Sequence, residues 1–222
     1  MAGRASSVTT GLPPAERRRA TRVLQGLDRM IPDPVCELDH HTPWELLVAT
    51  ILSAQCTDAR VNQVTPALFR RYPDPAALAA AEPGELEGMI RSTGFFRNKA
   101  KSLLGAARAL VTDFGGAVPR TMDELLTLPG VARKTANVLL GTAFGRAEGI
   151  VVDTHARRVS HRLGLTAERD PGKIERDLMA RFPKRRWIRL GHQLVLHGRY
   201  TCLARAPRCG DCALAPVCPS VE

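Results

Sequence analysis

Lysine is nearly absent from a chain that is otherwise strongly basic. Of the 32 Lys and Arg residues among 222, the lysines are only Lys99, Lys101, Lys134, Lys173 and Lys184, so chemistry that needs a side-chain amine is confined to five positions. Long apolar runs are missing too, and none approaches the ~18–20 residues of a membrane-spanning helix, which excludes a helical span. The first dozen residues hold no apolar stretch of the kind a secretory leader carries, and residues 1–14 read as a flexible tail. Internal repeats, low-complexity tracts and apolar–polar alternation of useful length are all lacking, which argues against a solenoid or sheet architecture. The one β-branched run, Ile150-Val151-Val152, is too short to argue for a sheet.

Positive charge is what the chain has in excess. With 22 Asp and Glu it carries +10, for a pI near 10. A polyanion is the simplest partner, nucleic acid ahead of an anionic membrane surface, although the same surplus would also serve solubility alone. The 44% hydrophobic and 24% charged residues are ordinary for a globular protein, and the length suits one domain or two modest ones.

The punctuation is that of an all-α protein. Thr42-Pro43-Trp44-Glu45 and Thr121-Met122-Asp123-Glu124 are capping boxes, opening helices over 44–55 and 123–127. Apolar spacing bounded by Pro, Gly and Asp predicts further helices over 14–31, 59–72, 75–82, 85–92, 96–114, 133–144 and 153–163, one from 171, and one over 184–198. Cys36 and Cys56 fall within apolar helical patterns and are expected to be buried thiols.

The other four cysteines crowd the end of the chain. Cys202, Cys209, Cys212 and Cys218 follow C-x6-C-x2-C-x5-C, in a window rich in proline and glycine. A disulfide scaffold would spread them along the chain, so a metal centre in a reduced compartment is expected. Four thiolates suit zinc or [4Fe–4S] equally, and spacing does not separate the two. Arg199, Arg205 and Arg208 flank the cluster and are placed either to face phosphates or to solvate a loop.

Leu128-Pro129-Gly130-Val131-Ala132 between two short helical segments has the form of a helix-hairpin-helix. Such a turn leaves backbone N–H groups at the start of the second helix suited to a phosphate oxygen, while an ordinary helix–helix turn would look the same in sequence. Lys134 sits on the first turn of that second helix, as a phosphate contact or as a nucleophile. An amine attacks only when neutral, and the positive end of a helix with arginines nearby favours that form by like-charge repulsion. Asp153, opening the next helix in Val152-Asp153-Thr154-His155, reads first as an N-cap. Capping also fixes a carboxylate where it could face a reacting sugar.

Four segments, Ser53-Ala54-Gln55-Cys56-Thr57-Asp58, Leu128 to Ala136, Val152 to His155 and the cysteine tail, stand in the order and spacing of the endonuclease III family, and from about residue 15 to 219 the chain resembles its members. That resemblance implies a two-domain, all-α helix-hairpin-helix DNA glycosylase fold: a six-helix barrel over 36–147, and an iron–sulfur cluster domain from 15–35 and 148–222. It implies a [4Fe–4S] cluster on Cys202, Cys209, Cys212 and Cys218. It further implies a bifunctional N-glycosylase and AP lyase of base excision repair, acting as a cytoplasmic, nucleoid-associated monomer on double-stranded DNA with damaged pyrimidines or abasic sites. Lys134 matches the Schiff-base lysine and Asp153 the catalytic aspartate. Gln55 matches a residue that fills the gap left by a flipped nucleotide, and Phe95 an apolar wedge, with core packing its alternative. Gly130, Val131, Ala132, Arg133, Thr135, Arg205 and Arg208 match DNA-contacting positions. Two departures stand out: Ala132 replaces the hairpin's second glycine, and Phe95 stands where a smaller aliphatic residue is common. His155 follows the pattern without a role beyond hydrogen bonding near the aspartate.

Overall fold

The computed structural model describes residues 12–221, and every regular element in them is helical. The expected tail over residues 1–14 lies outside the described residues up to position 11, and Pro14 already opens the first helix. The helices are α1 (Pro14–Met30), α2 (Pro43–Leu52), α3 (Asp58–Arg71), α4 (Pro75–Ala79), α5 (Pro83–Ile90), α6 (Phe96–Asp113), α7 (Met122–Thr127), α8 (Arg133–Phe144), α9 (Thr154–Arg162), α10 (Pro171–Arg181) and α11 (Trp187–Tyr200). Short 3-10 turns lie at Arg91–Thr93, Lys184–Arg186, Cys209–Asp211 and Ala215–Val217.

Most helix starts are written locally. Thr42, Thr57, Asp74, Glu82, Thr121, Asp153 and Asp170 each accept a hydrogen bond from the backbone N–H three residues on. That contact satisfies one of the donors a helix start leaves open. Boundaries of α2, α4, α5 and α11 differ from the sequence expectation by two or three residues. α5 starts at Pro83 instead of Glu85, because proline needs no N–H partner in the first turn and Glu82 can cap from outside. α2 stops at Leu52, short of the expected Gln55, because Gln55 turns to φ 51°, a left-handed conformation that no helix continues through. Cys36 and Cys56 lie in loops, half-buried, and not within helices as expected.

The chain forms two compact units. One spans Cys36–Glu148 and holds α2 to α8. Its centre is α2, where every residue from Leu46 to Leu52 and also Trp44 is buried, so the helix is apolar all round. α3, α6 and α8 pack against it, and α4 and α5 lie along α6. Each fully buried leucine here contributes roughly 1.5–3 kcal/mol relative to exposure.

The second unit is discontinuous, joining the chain up to Val35 with that from Gly149. Val23, Leu24 and Leu27 of α1 share a core with Val159 of α9, Ile174 and Leu178 of α10, Leu190 and Leu194 of α11, Phe182 and Leu214. Gly198 lets α11 approach α9 closely, since a Cβ there would stand 2.8 Å from that of His155. Polar bonds join α1 to α11 as well. Asp28 accepts from Arg186 at 2.6 Å, Gln193 at 3.0 Å and Arg189 at 3.1 Å.

Burial by itself would raise the Asp28 carboxyl, but the hydrogen bonds from Arg186, Gln193 and Arg189 hold it below the usual range. A carboxylate depressed on folding stabilises above its unfolded pKa of about 3.9, and that contribution is lost as pH falls through the folded value. Asp28→Asn is expected to lower unfolding free energy at pH 7 by about 1–3 kcal/mol, since it leaves the arginines without their counter-charge. Urea unfolding at pH 7 and pH 3 checks this, because the difference from the unsubstituted chain should shrink at the lower pH.

Candidate functional site

In the Cys36–Glu148 unit α7 ends at Thr127, the chain reverses through Pro129 and Gly130, and α8 begins at Arg133. Gly130 is required here twice over. Its φ of 81° is left-handed, and a Cβ would stand 2.6 Å from the Cβ of Ser102 on α6. One turn along α6, Gly105 accepts Pro129, where a Cβ would meet the proline ring at 3.0 Å. Small residues on α6 thus seat the turn. Ala132 has φ −98°, which alanine adopts without strain, so replacing glycine there costs the backbone nothing. As N-cap of α8 it makes no side-chain hydrogen bond, unlike Thr121 at the start of α7 or Asp153 at the start of α9. Gly130, Ala132, Arg133 and Lys134 are exposed, Thr135 is half-buried and Val131 is tucked inward. Lys134 is therefore exposed on the first turn of a helix whose N-cap residue makes no side-chain hydrogen bond.

Gln55 and Phe95 belong to the same unit, on the loops after α2 and after the Arg91–Thr93 turn. Both are exposed and both are left-handed, at φ 51° and 47°. Phe95 is 63% exposed, which rules out the core-packing alternative.

Asp153, in the other unit, caps α9 as its position predicts: Oδ1 accepts the Ala156 N–H at 2.7 Å. Oδ2 has no hydrogen-bond partner among the described residues, and the side chain is half-buried. His155 gains a definite role. Its Nδ1 lies 3.2 Å from Nη2 of Arg158, which donates to the carbonyl of Gly198 at 2.6 Å, while Nε donates to that of Cys202 at 3.1 Å. Arg162, one turn on, donates to the carbonyls of Leu203 at 2.5 Å and Ala204 at 3.0 Å. These two arginines fasten the end of the chain to α9, and sequence reasoning missed both. The run Arg157-Arg158 with Arg162 reads as surface charge until its carbonyl partners are known. Arg205 and Arg208 are exposed on either side of Ala206, whose φ of 49° turns the loop.

The [4Fe–4S] cluster expected on Cys202, Cys209, Cys212 and Cys218 is not supported. Among the described residues no group of three or more His, Cys, Asp or Glu side chains is disposed to hold a metal ion. The four cysteines border a common cavity with Leu163 and Leu214. Cys202 Sγ accepts from Arg162 at 3.4 Å, Cys218 Sγ lies 3.4 Å from the Arg162 carbonyl, and Cys212 Sγ stands 3.8 Å from Nε2 of His197. Burial pushes the Cys212 thiol up, and the neighbouring Cys202 and Cys218 act in the same direction.

Residues 48–184 match the family described as HhH-GPD superfamily base excision DNA repair protein. Over 208 residues the chain is 57% identical to the Endonuclease III of Synechocystis, covering 94% of this chain and 95% of that relative. The chain belongs to the endonuclease III family. Two solved endonuclease III structures are similar throughout. One, described as a non-covalent Endonuclease III–DNA complex, has a TM-score of 0.88 at 45% identity, covering 91% of this chain and 95% of that one. The other, a trapped Endonuclease III–DNA covalent intermediate in an estranged-adenine complex, has a TM-score of 0.87 at 44% identity, covering 94% and 97%. The fold is the all-α, two-subdomain helix-hairpin-helix fold of endonuclease III. Like other endonuclease III chains, this one is an enzyme of base excision repair, a DNA glycosylase and AP lyase. Among the described residues no helix is long and apolar enough to cross a membrane.

The hairpin glycine can be tested directly. Gly130→Ala is expected to destabilise by about 1–3 kcal/mol, from a left-handed φ and a clash with α6. Gly88→Ala, at an exposed position of α5 with nothing within 4 Å of the new methyl, is expected to stabilise by about 0.5–1 kcal/mol. Opposite shifts of the urea midpoint check the pair.

Proposed function

We propose that this chain excises oxidised pyrimidines from duplex DNA and cuts the strand 3′ to the abasic site, with Lys134 as nucleophile and Asp153 as its supporting carboxylate. Bifunctional glycosylase and AP lyase activity on oxidised pyrimidines is the activity of the family to which the chain belongs. The residue roles are our own assignment. The observation that carries it is the exposed Lys134 at the bare start of α8, directly after the tight Gly130 turn.

The amine of Lys134 attacks C1′ of the deoxyribose, and the bond from C1′ to the base breaks with its electron pair leaving on the base. Loss of an amine proton and opening of the sugar ring give an iminium between Nζ and C1′. The iminium acidifies the C2′ protons. Removing one sends electrons to C3′, where the C3′–O bond breaks and phosphate leaves. Asp153 suits the charge that develops. Its Oδ1 is held by the helix it caps, which fixes the carboxylate, and Oδ2 is left to face positive charge on the sugar or to take a proton.

Binding obeys the same division of labour. Backbone N–H groups around Gly130 to Thr135 and the positive end of α8 hold a phosphate without reading bases. Phe95 enters the stack as a wedge and Gln55 fills the space of the flipped nucleotide, which needs both side chains exposed on stiff turns. Arg205 and Arg208 contact further phosphates. The working form is a cytoplasmic monomer on duplex DNA carrying damaged pyrimidines or abasic sites, built from a six-helix barrel over 36–147 and a second domain from 15–35 and 148–222.

Borohydride in the presence of a damaged duplex is expected to trap a covalent adduct on Lys134. Lys134→Ala should abolish it, and an adduct that persists in this variant would show that another amine attacks. Asp153→Asn should retain DNA binding in a gel-shift assay while single-turnover base release falls by about 10²–10⁴-fold.

A further inference from the structure

Lys99 is the one lysine that the structure buries, at 4% exposure. Its ammonium, carried on α6, donates to the carbonyl of Leu52 at 2.8 Å and to that of Thr93 at 2.8 Å. Those carbonyls end two helical segments, α2 and the Arg91–Thr93 turn, where carbonyls lack helical partners and a cation is favoured. α2 has no basic residue of its own in its last turn. Burial pushes the Lys99 amine below the ordinary lysine range, so a four-carbon stem and a costly desolvation are spent on this one junction.

The residues just beyond the two carbonyls give the junction its purpose. Three positions after Leu52 comes Gln55, and two after Thr93 comes Phe95, both exposed and both in the left-handed region that side chains other than glycine rarely adopt. We infer that Lys99 is a positioning residue for DNA recognition: by tying the end of α2 to the end of the Arg91–Thr93 turn, it holds Gln55 and Phe95 at a set separation for joint entry into the DNA stack. This rests on the proposed insertion roles of Gln55 and Phe95. A bond to two backbone carbonyls fixes the loops whatever side chains they carry, so Lys99 governs geometry and leaves lesion choice to the loop tips.

The test is a double-mutant cycle with Lys99→Met, Phe95→Ala and both together. Each protein is assayed for single-turnover excision of thymine glycol from duplex DNA and for cleavage of an abasic site in single-stranded DNA, which requires no wedge. Lys99→Met is expected to slow duplex excision about tenfold more than single-strand cleavage, a loss of the size that small misplacements of reacting groups produce. In the Phe95→Ala background its extra cost should largely vanish. Equal losses on both substrates, as a smaller folded fraction would give, overturn the proposal, and so do losses that simply multiply. A Phe95→Ala variant with unchanged duplex excision overturns the insertion reading, and this one with it. If Lys99→Met does not fold, Lys99→Gln, which retains a donor for one carbonyl, enters the same cycle under the same criteria.

Discussion

An all-helical chain must find partners for the amides at one end of every helix and the carbonyls at the other, and this constraint organises the whole molecule. Seven starts are closed by a side chain three residues upstream of the donor. The end of α2 receives Lys99 from α6, and the end of α11 receives Arg158 from α9. The starts of α1, α6, α8 and α11 carry no such side-chain cap, and at α8 the capping position is an alanine. A bare helix start costs stability in water, and an anion is the ligand that removes the cost.

Much of this was legible from the residues alone, because capping is local. Thr42 to Glu45, Thr121 to Glu124 and Asp153 to Ala156 are contacts three residues apart, and they form as their spacing predicts. Contacts across long separations were not legible. Lys99 reaches a carbonyl 47 residues away, and Arg162 reaches ones 41 and 42 residues on. Nothing in a lysine or an arginine announces a backbone acceptor in another helix. The left-handed turns at Gln55 and Phe95 escaped for a related reason: only glycine advertises such a conformation, and neither residue is glycine.

The cysteine tail shows the opposite failure, a pattern that promised more than the structure gives. Spacing within seventeen residues establishes that four sulfurs are close along the chain. Closeness along the chain is not a ligand set, and among the described residues no group of three or more His, Cys, Asp or Glu side chains is disposed to hold a metal ion. The sulfurs meet an arginine, a carbonyl and a histidine singly. Guanidinium groups of Arg158 and Arg162 and the buried Leu214 anchor the tail.

That anchorage has its own consequence. Arg158 and Arg162 grip the carbonyls of Gly198, Cys202, Leu203 and Ala204, atoms that every amino acid supplies. At Leu203 and Ala204 these bonds do not depend on which side chain the residue carries. Drift in Leu203 or Ala204 would leave the joint intact, whereas trading either arginine for lysine would forfeit the planar fork that lets one group clasp two neighbours at once.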